Sequence, residues 1–454
     1  MRARLTIRHG LLTAQIAANA LVGYLFLKVL AVRFGASADK DIFDIAYAIP
    51  FVILNIGGFA FAHSVLIAHF SKLAATQPHK LDSIFATTAT CVVIGSAALA
   101  AVCGLFVGNI SQLVAPGVNA ELNAELRHLI LLLLPIVFSF SLCALFSAAC
   151  VAHEAPVTNE LGPLVARIIV IVALLAGLIG GVLPQIAIAL AVSSVAGLAL
   201  HWYLLRRTTN LRFRFAAGWA DEDFKSLASQ VFGFLLVACV AQFAMMYMRR
   251  LATFDQAGTN AALTYSISLL SPLGLVVGKP LLLVTGPRFA SALARNERQT
   301  ARMIFQRTTL ACLVIGCAAA GMIGLLATPL IRLMFGGGQF DEQSTKITAD
   351  LLICLVWSLP GSIVLWAVNM PLIAVARSHI PAAIYIGGYV LQIVFMAALF
   401  PVLGKYALVW GYTLSSGSQA VFGWWVVRRA LAVPPTIIQQ ATVPLKLSVE
   451  RNAA

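Results

Sequence analysis

Charge is what this chain has least of: 11% of its 454 residues are Asp, Glu, Lys or Arg, against about 25% in an ordinary soluble domain. Acids are the scarcer half, 17 against 31 Lys and Arg, and almost none lies inside an apolar run. That excludes a soluble domain and speaks against an exporter that would hold a cationic solute on acidic side chains. The chain also lacks a Gly-rich phosphate cradle, an HExxH motif, paired catalytic acids and any long loop that could carry them. A membrane glycan polymerase or ligase would want such a loop. The eight cysteines fall within apolar runs and have no metal-ligand spacing, so buried free thiols are expected, with no metal and no cofactor.

What is present is hydrophobicity, at 60% of the residues. Apolar runs of the roughly 20 residues that cross a bilayer begin near Leu11, Ile42, Ser83, His128, Leu161, Gln185, Ser229, Asn260, Thr308, Thr348, Ile380 and Tyr406. They predict an all-α polytopic membrane protein of about twelve transmembrane helices. The first run, Leu11 to Val32, is too long for a signal-peptide core and is expected to remain as the first span. The net charge of +14 is sorted by side. If the spans alternate, the clusters at Arg2 to Arg8, Lys72 and Lys80, Arg206 to Lys225, Arg288 to Arg307, and Arg428 and Arg429 share one side. The opposite side carries few cations in its short loops, Lys40, Arg249, Arg250, Lys346 and Lys405 among them. The positive-inside rule places the basic side, and both termini, in the cytoplasm. The charge is therefore a topology signal and not a nucleic-acid surface.

The two halves of the chain resemble each other at a nearly constant offset. Pro50 in "AIPFVILNIGG" pairs with Pro272 in "LLSPLGLVVGK", and "LVAPG" at Leu113 pairs with "LMFGG" at Leu333. Pro135 pairs in the same way with Pro360, and Pro156 with Pro381. An offset of six spans, an even number, predicts parallel repeats: two six-helix lobes around a central cavity. The boundaries expected are an N-terminal lobe over 1–205, a basic linker over 206–228 with room for a short amphipathic helix, a C-terminal lobe over 229–430 and a tail over 431–454. Such an architecture suits alternating access.

At these landmarks, "RFGASADKDIFDIAYAIP" (33–50), "GPRFASAL" (286–293), "PLIRLMFGGGQFDEQST" (329–345) and "SLPGSIVLWAVNMPLIAVARSHIP" (358–381) resemble the MurJ/MviN family of lipid II flippases, within the multidrug/oligosaccharidyl-lipid/polysaccharide exporter superfamily. The resemblance covers roughly 10–430. It implies a flippase that carries an undecaprenyl-pyrophosphate-linked saccharide, lipid II or an exopolysaccharide repeat unit, across a bacterial cytoplasmic membrane. A drug exporter of the same superfamily is the alternative. The resemblance also implies partners among cell-envelope or polysaccharide synthesis proteins, and it matches the family's acidic residue after span one with Asp41. Its arginines in spans one, two and eight are replaced here by "IAANALVGYLFLKV", "IPFVILN" and "YSISLLSP". Its two further C-terminal helices are not expected from "PPTIIQQATVPLKLSVERNAA", which is too polar to span.

Polar residues at membrane depth either face a cavity or reach an interface. Lys28 near the end of span one, and Arg249 with Arg250 at the end of span seven, read either as interface anchors or as a cationic rim for the pyrophosphate. Asp41 and Asp44 open span two, where an acid can cap the helix or serve a gate or ion coupling. Asn55, His63 and Gln242 suit interhelical hydrogen bonding. Asn55 also stands as a substrate contact, and His63, an imidazole, is the candidate for any proton dependence. Arg167 reads as an anchor, and Gly57, Gly58, Gly321 and Gly324 as points of close helix approach. Lys279 precedes Pro280, which is expected to interrupt its helix beside the cavity. That makes Lys279 the cation best set to meet a pyrophosphate. Reporter fusions at Thr209 and Ala430 should read as cytoplasmic and one after Gly338 as periplasmic; reversal at two of the three contradicts the twelve-span topology.

Overall fold

The computed structural model describes residues 2–57, 59–153, 155, 161–375 and 379–432. Among them are seventeen helices and no strand, only an isolated bridge between Gly337 and Phe340. The first repeat holds α1 (Arg2–Phe34), α2 (Ala38–Ile56), α3 (Phe59–Thr76), α4 (Pro78–Leu105), the short α5 (Val107–Val114), α6 (Ala120–Leu133), α7 (Pro135–Ala152), α8 (Leu161–Leu175) and α9 (Leu183–Thr208). The second holds α10 (Glu222–Ala252), α11 (Thr259–Ala294), α12 (Arg298–Leu325), the short α13 (Ala327–Phe335), α14 (Glu342–Leu355), α15 (Ser358–Val375), α16 (His379–Leu403) and α17 (Lys405–Ala432). Among the described residues seven spans, α6 and α7 counting as one, are long and apolar enough to cross a membrane; α14 with α15, bent by 45°, makes an eighth.

The duplication seen in the sequence recurs as repeated hardware. Each repeat places a short amphipathic helix after its third span, α5 after α4 (with α2 and α3 counted as one broken span) and α13 after α12. Each then caps the next helix with a side chain. Asn119 accepts from the Leu122 N–H at 2.9 Å, and Asp341, its counterpart in the second repeat, accepts from the Ser344 N–H at 2.7 Å. The repeats differ in their second span. The first is broken at Gly57 into α2 and α3, whereas α11 runs unbroken for 36 residues. The expected interruption at Pro280 is absent from the backbone, because a proline removes one rung of the ladder and the remaining turns of a long helix hold their course.

The linker also departs from expectation. Instead of a short amphipathic helix, 209–217 carries neither helix nor turn. Side chains of α4 offer acceptors that compete with helix formation. Asp82 accepts from the Arg212 N–H at 3.2 Å, Thr90 from Ala216 at 2.9 Å and Thr87 from Gly218 at 3.2 Å. Two ion pairs, the exposed Arg214 with Asp82 at 2.7 Å and the part-buried Lys80 with Asp223 at 3.2 Å, hold the same end.

The chain forms two compact units. The first combines Met1–Leu269, Gly324–Cys354 and Gln392–Gly411; the second takes Leu270–Ile323, Leu355–Leu391 and the chain from Tyr412 on. Lipid tails are as apolar as leucine, so within each unit it is close packing, more than escape from water, that holds helices together. The first unit has two cores. One gathers Phe26, Leu30, Phe43 and Ile45 with Leu126, Ile130 and Leu133; the other stacks Phe70, Phe85 and Phe146 toward Trp202 and Phe213. Helix α8 meets α9 so closely that a Cβ on Gly197 would lie 2.8 Å from the Gly162 carbonyl oxygen.

In the second unit, α12 meets α15 at Gly316 and Pro360, and α15 meets α17 at Gly361 and Gly417. These helices leave an apolar groove of about 670 Å³ beside Leu313, Trp357 and Trp424. Gly321, expected at a close contact, has nothing within 4 Å of its would-be Cβ, and Gly58 lies outside the described residues. None of the eight cysteines is in a disulfide. Four are buried, but Cys317 is exposed on α12, where apolar surface can face lipid. Gly197→Ala should lower the unfolding temperature in detergent, at a cost of about 1–3 kcal/mol from overpacking, while Gly321→Ala should be neutral or slightly stabilising; equal effects would refute the packing assignment.

Candidate functional site

Four turns meet at one end of the first unit: 35–37 after α1, 115–119 after α5, 253–258 after α10 and 336–341 after α13. Glycine makes the meeting possible. Gly258 sits at φ +90° and a Cβ there would be 2.1 Å from the Ala36 carbonyl oxygen; Gly35, at φ +60°, leaves only 2.3 Å to that of Gln339. Hydrogen bonds then stitch the turns across the repeats. The Gln339 N–H donates to the Val32 carbonyl at 2.8 Å, the Ala36 N–H to the Ser344 hydroxyl at 3.1 Å, and the Gly117 N–H to the Thr253 hydroxyl at 3.2 Å. The fully buried Tyr265 donates to the Gly35 carbonyl at 2.9 Å and packs against Phe335 and Phe340.

Asp41 stands at the centre of this seam. It lies in the first turn of α2, but that helix already has its N-cap in Ser37. The Asp41 carboxylate instead accepts from the Gly258 N–H at 2.7 Å and the Ala261 N–H at 2.6 Å, capping α11 of the other repeat. A carboxylate on the free N–H groups of a helix start also meets the positive end of its dipole, and each charged hydrogen bond contributes about 1.5–3 kcal/mol. The residue just before Asp41, Lys40, has no exposed surface. It pairs with Asp44 and has the Tyr265 ring 5.0 Å from its Nζ. Removing one member of such a buried pair costs about 3–5 kcal/mol.

The other cations of this end obey the repeat. Lys28 of α1 donates to the Leu333 carbonyl at 3.4 Å in the last turn of α13, beside the Tyr24 hydroxyl on Met334 at 2.6 Å. Arg250 of α10 donates to the Leu113 carbonyl at 2.8 Å in the last turn of α5. Donors and acceptors alike are thus related by the repeat offset, and each cation satisfies the unpaired carbonyls ending a short helix of the opposite repeat. Arg249 donates to the Thr264 hydroxyl at 3.3 Å and lies within electrostatic reach of Asp44 and Asp41. The loop residue Asp341 has its carboxyl held below the usual carboxylate range by the Ser344 N–H and hydroxyl. Its contribution is full above the ordinary value and is lost only as pH falls through the lowered one, so it is ionised at neutral pH.

The structure therefore brings Lys28, Asp41, Arg249 and Arg250 to one end of the bundle. Asn55 is apart from them and donates to the Phe51 carbonyl of its own helix at 2.8 Å. Arg167 donates to Asn19 at 3.2 Å. The side chains of His63 and Lys279 lie outside the described residues. Sequence reasoning does not single out Gly35, Gly258, Tyr265 or Ser344, and it counts Lys40 as a loop cation. Only the glycine run 336–338 and the repeat offset hint at the seam. Nor does the sequence mark a polar cluster in the second unit. There Tyr385 bonds Asn369, and Gln419 donates to the Tyr385 carbonyl at 3.3 Å and the Ser415 hydroxyl at 3.2 Å. No group of three or more His, Cys, Asp or Glu side chains placed to hold a metal occurs among the described residues. Hydrogen-bonded turns, caps and buried ion pairs can latch and release; they offer no nucleophile paired with a base.

Residues 30–449 match the family model described as lipid II flippase MurJ. A curated relative, the probable lipid II flippase MurJ of Rhizobium meliloti (strain 1021), is 22% identical over 366 residues, which cover 76% of this chain and 66% of the relative, just under two thirds of its length. Among solved structures, a lipid II flippase MurJ in an inward closed conformation matches with a TM-score of 0.77 at 16% identity, covering 92% of this chain and 87% of that one. An inward-facing multidrug resistance transporter of the MATE family, in the MOP superfamily, gives 0.75 at 12% identity over 95% and 100% of the two chains. An outward-facing MATE family transporter gives 0.61 at 15% identity over 93% and 95%.

Proposed function

We propose a transport function from one premise: the chain belongs to the lipid II flippase MurJ family. On this reading it moves an undecaprenyl-pyrophosphate-linked glycan, lipid II before an exopolysaccharide unit, from the inner to the outer leaflet of a bacterial cytoplasmic membrane. The two repeats, 1–205 and 229–430, work by alternating access, with both termini, the linker 206–228 and the tail from 431 in the cytoplasm. The observation that carries the reading is the bidentate cap of Asp41 on α11. A carboxylate from one repeat holding the first turn of a helix from the other forms a gate that can open only by losing both bonds. The higher TM-scores to the two inward structures than to the outward one support a shut outer gate.

Opening that gate means uncapping α11, parting the Tyr265 and Gln339 bonds and releasing Lys28 and Arg250 from their helix ends. Substrate can drive this only by binding the open form more tightly. A pyrophosphate supplies the means, because it attracts cations that the shut state keeps on carbonyl oxygens. Lys279 is assigned to receive the pyrophosphate from the inner leaflet, Lys28, Arg249 and Arg250 to receive it at the outer mouth, and Asn55 to contact the head group. Asp41 is the gate, and His63 the residue through which proton dependence enters.

Transport of a lipid-linked pyrophosphate glycan into the outer leaflet of proteoliposomes should fall at least tenfold in Lys279→Gln at unchanged protein abundance, while Lys279→Arg keeps part of it. Asp41→Asn, which keeps one acceptor oxygen but no charge, should also lose most transport. Full transport by both neutral variants would remove these residues from the mechanism.

A further inference from the structure

The last helix of each repeat ends in one six-residue pattern. Helix α9 closes with Trp202, Tyr203, Leu204, Leu205, Arg206 and Arg207, and α17 with Trp424, Trp425, Val426, Val427, Arg428 and Arg429. Every position has its counterpart at the repeat offset, of the same chemical type, in two halves that otherwise align only at scattered landmarks. The geometry repeats as well. Arg206 lies over the Trp202 ring at 4.7 Å and Arg207 over Tyr203 at 5.2 Å; Arg428 lies over Trp424 at 5.0 Å and Arg429 over Trp425 at 5.2 Å. Leu205 and Val427 are fully buried, so both helices turn the same face inward and leave all four arginines exposed.

Stacking uses only the flat face of a guanidinium. Its in-plane N–H donors still point outward in a fork that fits two oxygens of one phosphate. No acceptor among the described residues takes a hydrogen bond or an ion pair from any of the four. Both pairs end a helix of a membrane-spanning bundle, where tryptophan and tyrosine mark the depth of the lipid head groups. Two adjacent arginines also favour a lipid with a net negative head group over one whose phosphate is already balanced by a choline or an ethanolamine.

We propose that the ends of α9 and α17 are two repeat-related binding sites for the phosphate of an anionic phospholipid, each formed by an arginine pair stacked on its own aromatic pair. The sites do not depend on which lipid-linked substrate the protein moves. Ring stacking keeps each guanidinium preorganised, so a head group meets a fixed fork instead of a mobile side chain. Their duplication gives each repeat its own hold on an anionic head group.

The test uses the full chain reconstituted in phosphatidylcholine vesicles doped with phosphatidylglycerol, then extracted for native mass spectrometry of the retained lipids. Wild-type protein should enrich phosphatidylglycerol over phosphatidylcholine. The double variants Arg206→Gln with Arg207→Gln, and Arg428→Gln with Arg429→Gln, should each lose phosphatidylglycerol affinity by about fivefold per arginine removed at low salt, with phosphatidylcholine retention and the unfolding temperature unchanged. Lysine at all four positions keeps the charge without the planar fork and should fall in between. Unchanged retention in both glutamine variants overturns the proposal, and so does wild-type retention with four lysines, which would reduce the effect to diffuse surface charge.

Discussion

The carboxylate of Asp41 on the first turn of α11 is the contact on which this structure turns. A helix of 36 residues begins with N–H groups that have no partner of their own, and at the edge of an apolar bundle little else can satisfy them. The acid that does so comes from the other repeat, 217 and 220 residues earlier in the chain. The glycines at 35 and 258 let the two backbones come close enough for that carboxylate to reach. Tyr265 fills the space behind it, and the Lys40 and Asp44 pair offsets charge that would otherwise be stranded away from water.

Duplication explains why the closure has two sides. Lys28 reaches the end of α13 and Arg250 the end of α5, so each repeat supplies the cation that finishes the other's short helix. The central acid has no such counterpart, because the position that the offset between Lys28 and Arg250 assigns to Asp41 is Leu263. The seam is symmetric at its rims and asymmetric in the middle. The same asymmetry appears in the second span, broken at Gly57 in the first repeat and continuous through Pro280 in the second.

Much of the fold was legible because long apolar runs announce spans and landmarks at a fixed offset announce a duplication. The site was less so. Asp41 reads as a cap for α2, since local sequence shows which helix an acid opens but not which distant helix start lies beside it. Lys40 reads as a loop cation because its burial follows from the approach of Tyr265, which belongs to the other repeat. The linker's acceptors on α4 were hidden for the same reason, as Thr87 and Thr90 look like ordinary span residues until the chain is laid against them. Lys28 and Arg250 stood out in the sequence as cations near span ends, but their carbonyl partners are backbone atoms that no residue type announces.

The central claim is that the turns gathered around Asp41 must part for a lipid-linked glycan to leave. The most direct measurement is a reversible lock across them, with Val32→Cys and Gln339→Cys placed where the two backbones already share a hydrogen bond of 2.8 Å, in a background stripped of the eight native cysteines. Quantitative disulfide formation should stop outward transport of the glycan in proteoliposomes, and reduction should restore it. Undiminished transport with the disulfide fully formed would contradict the account.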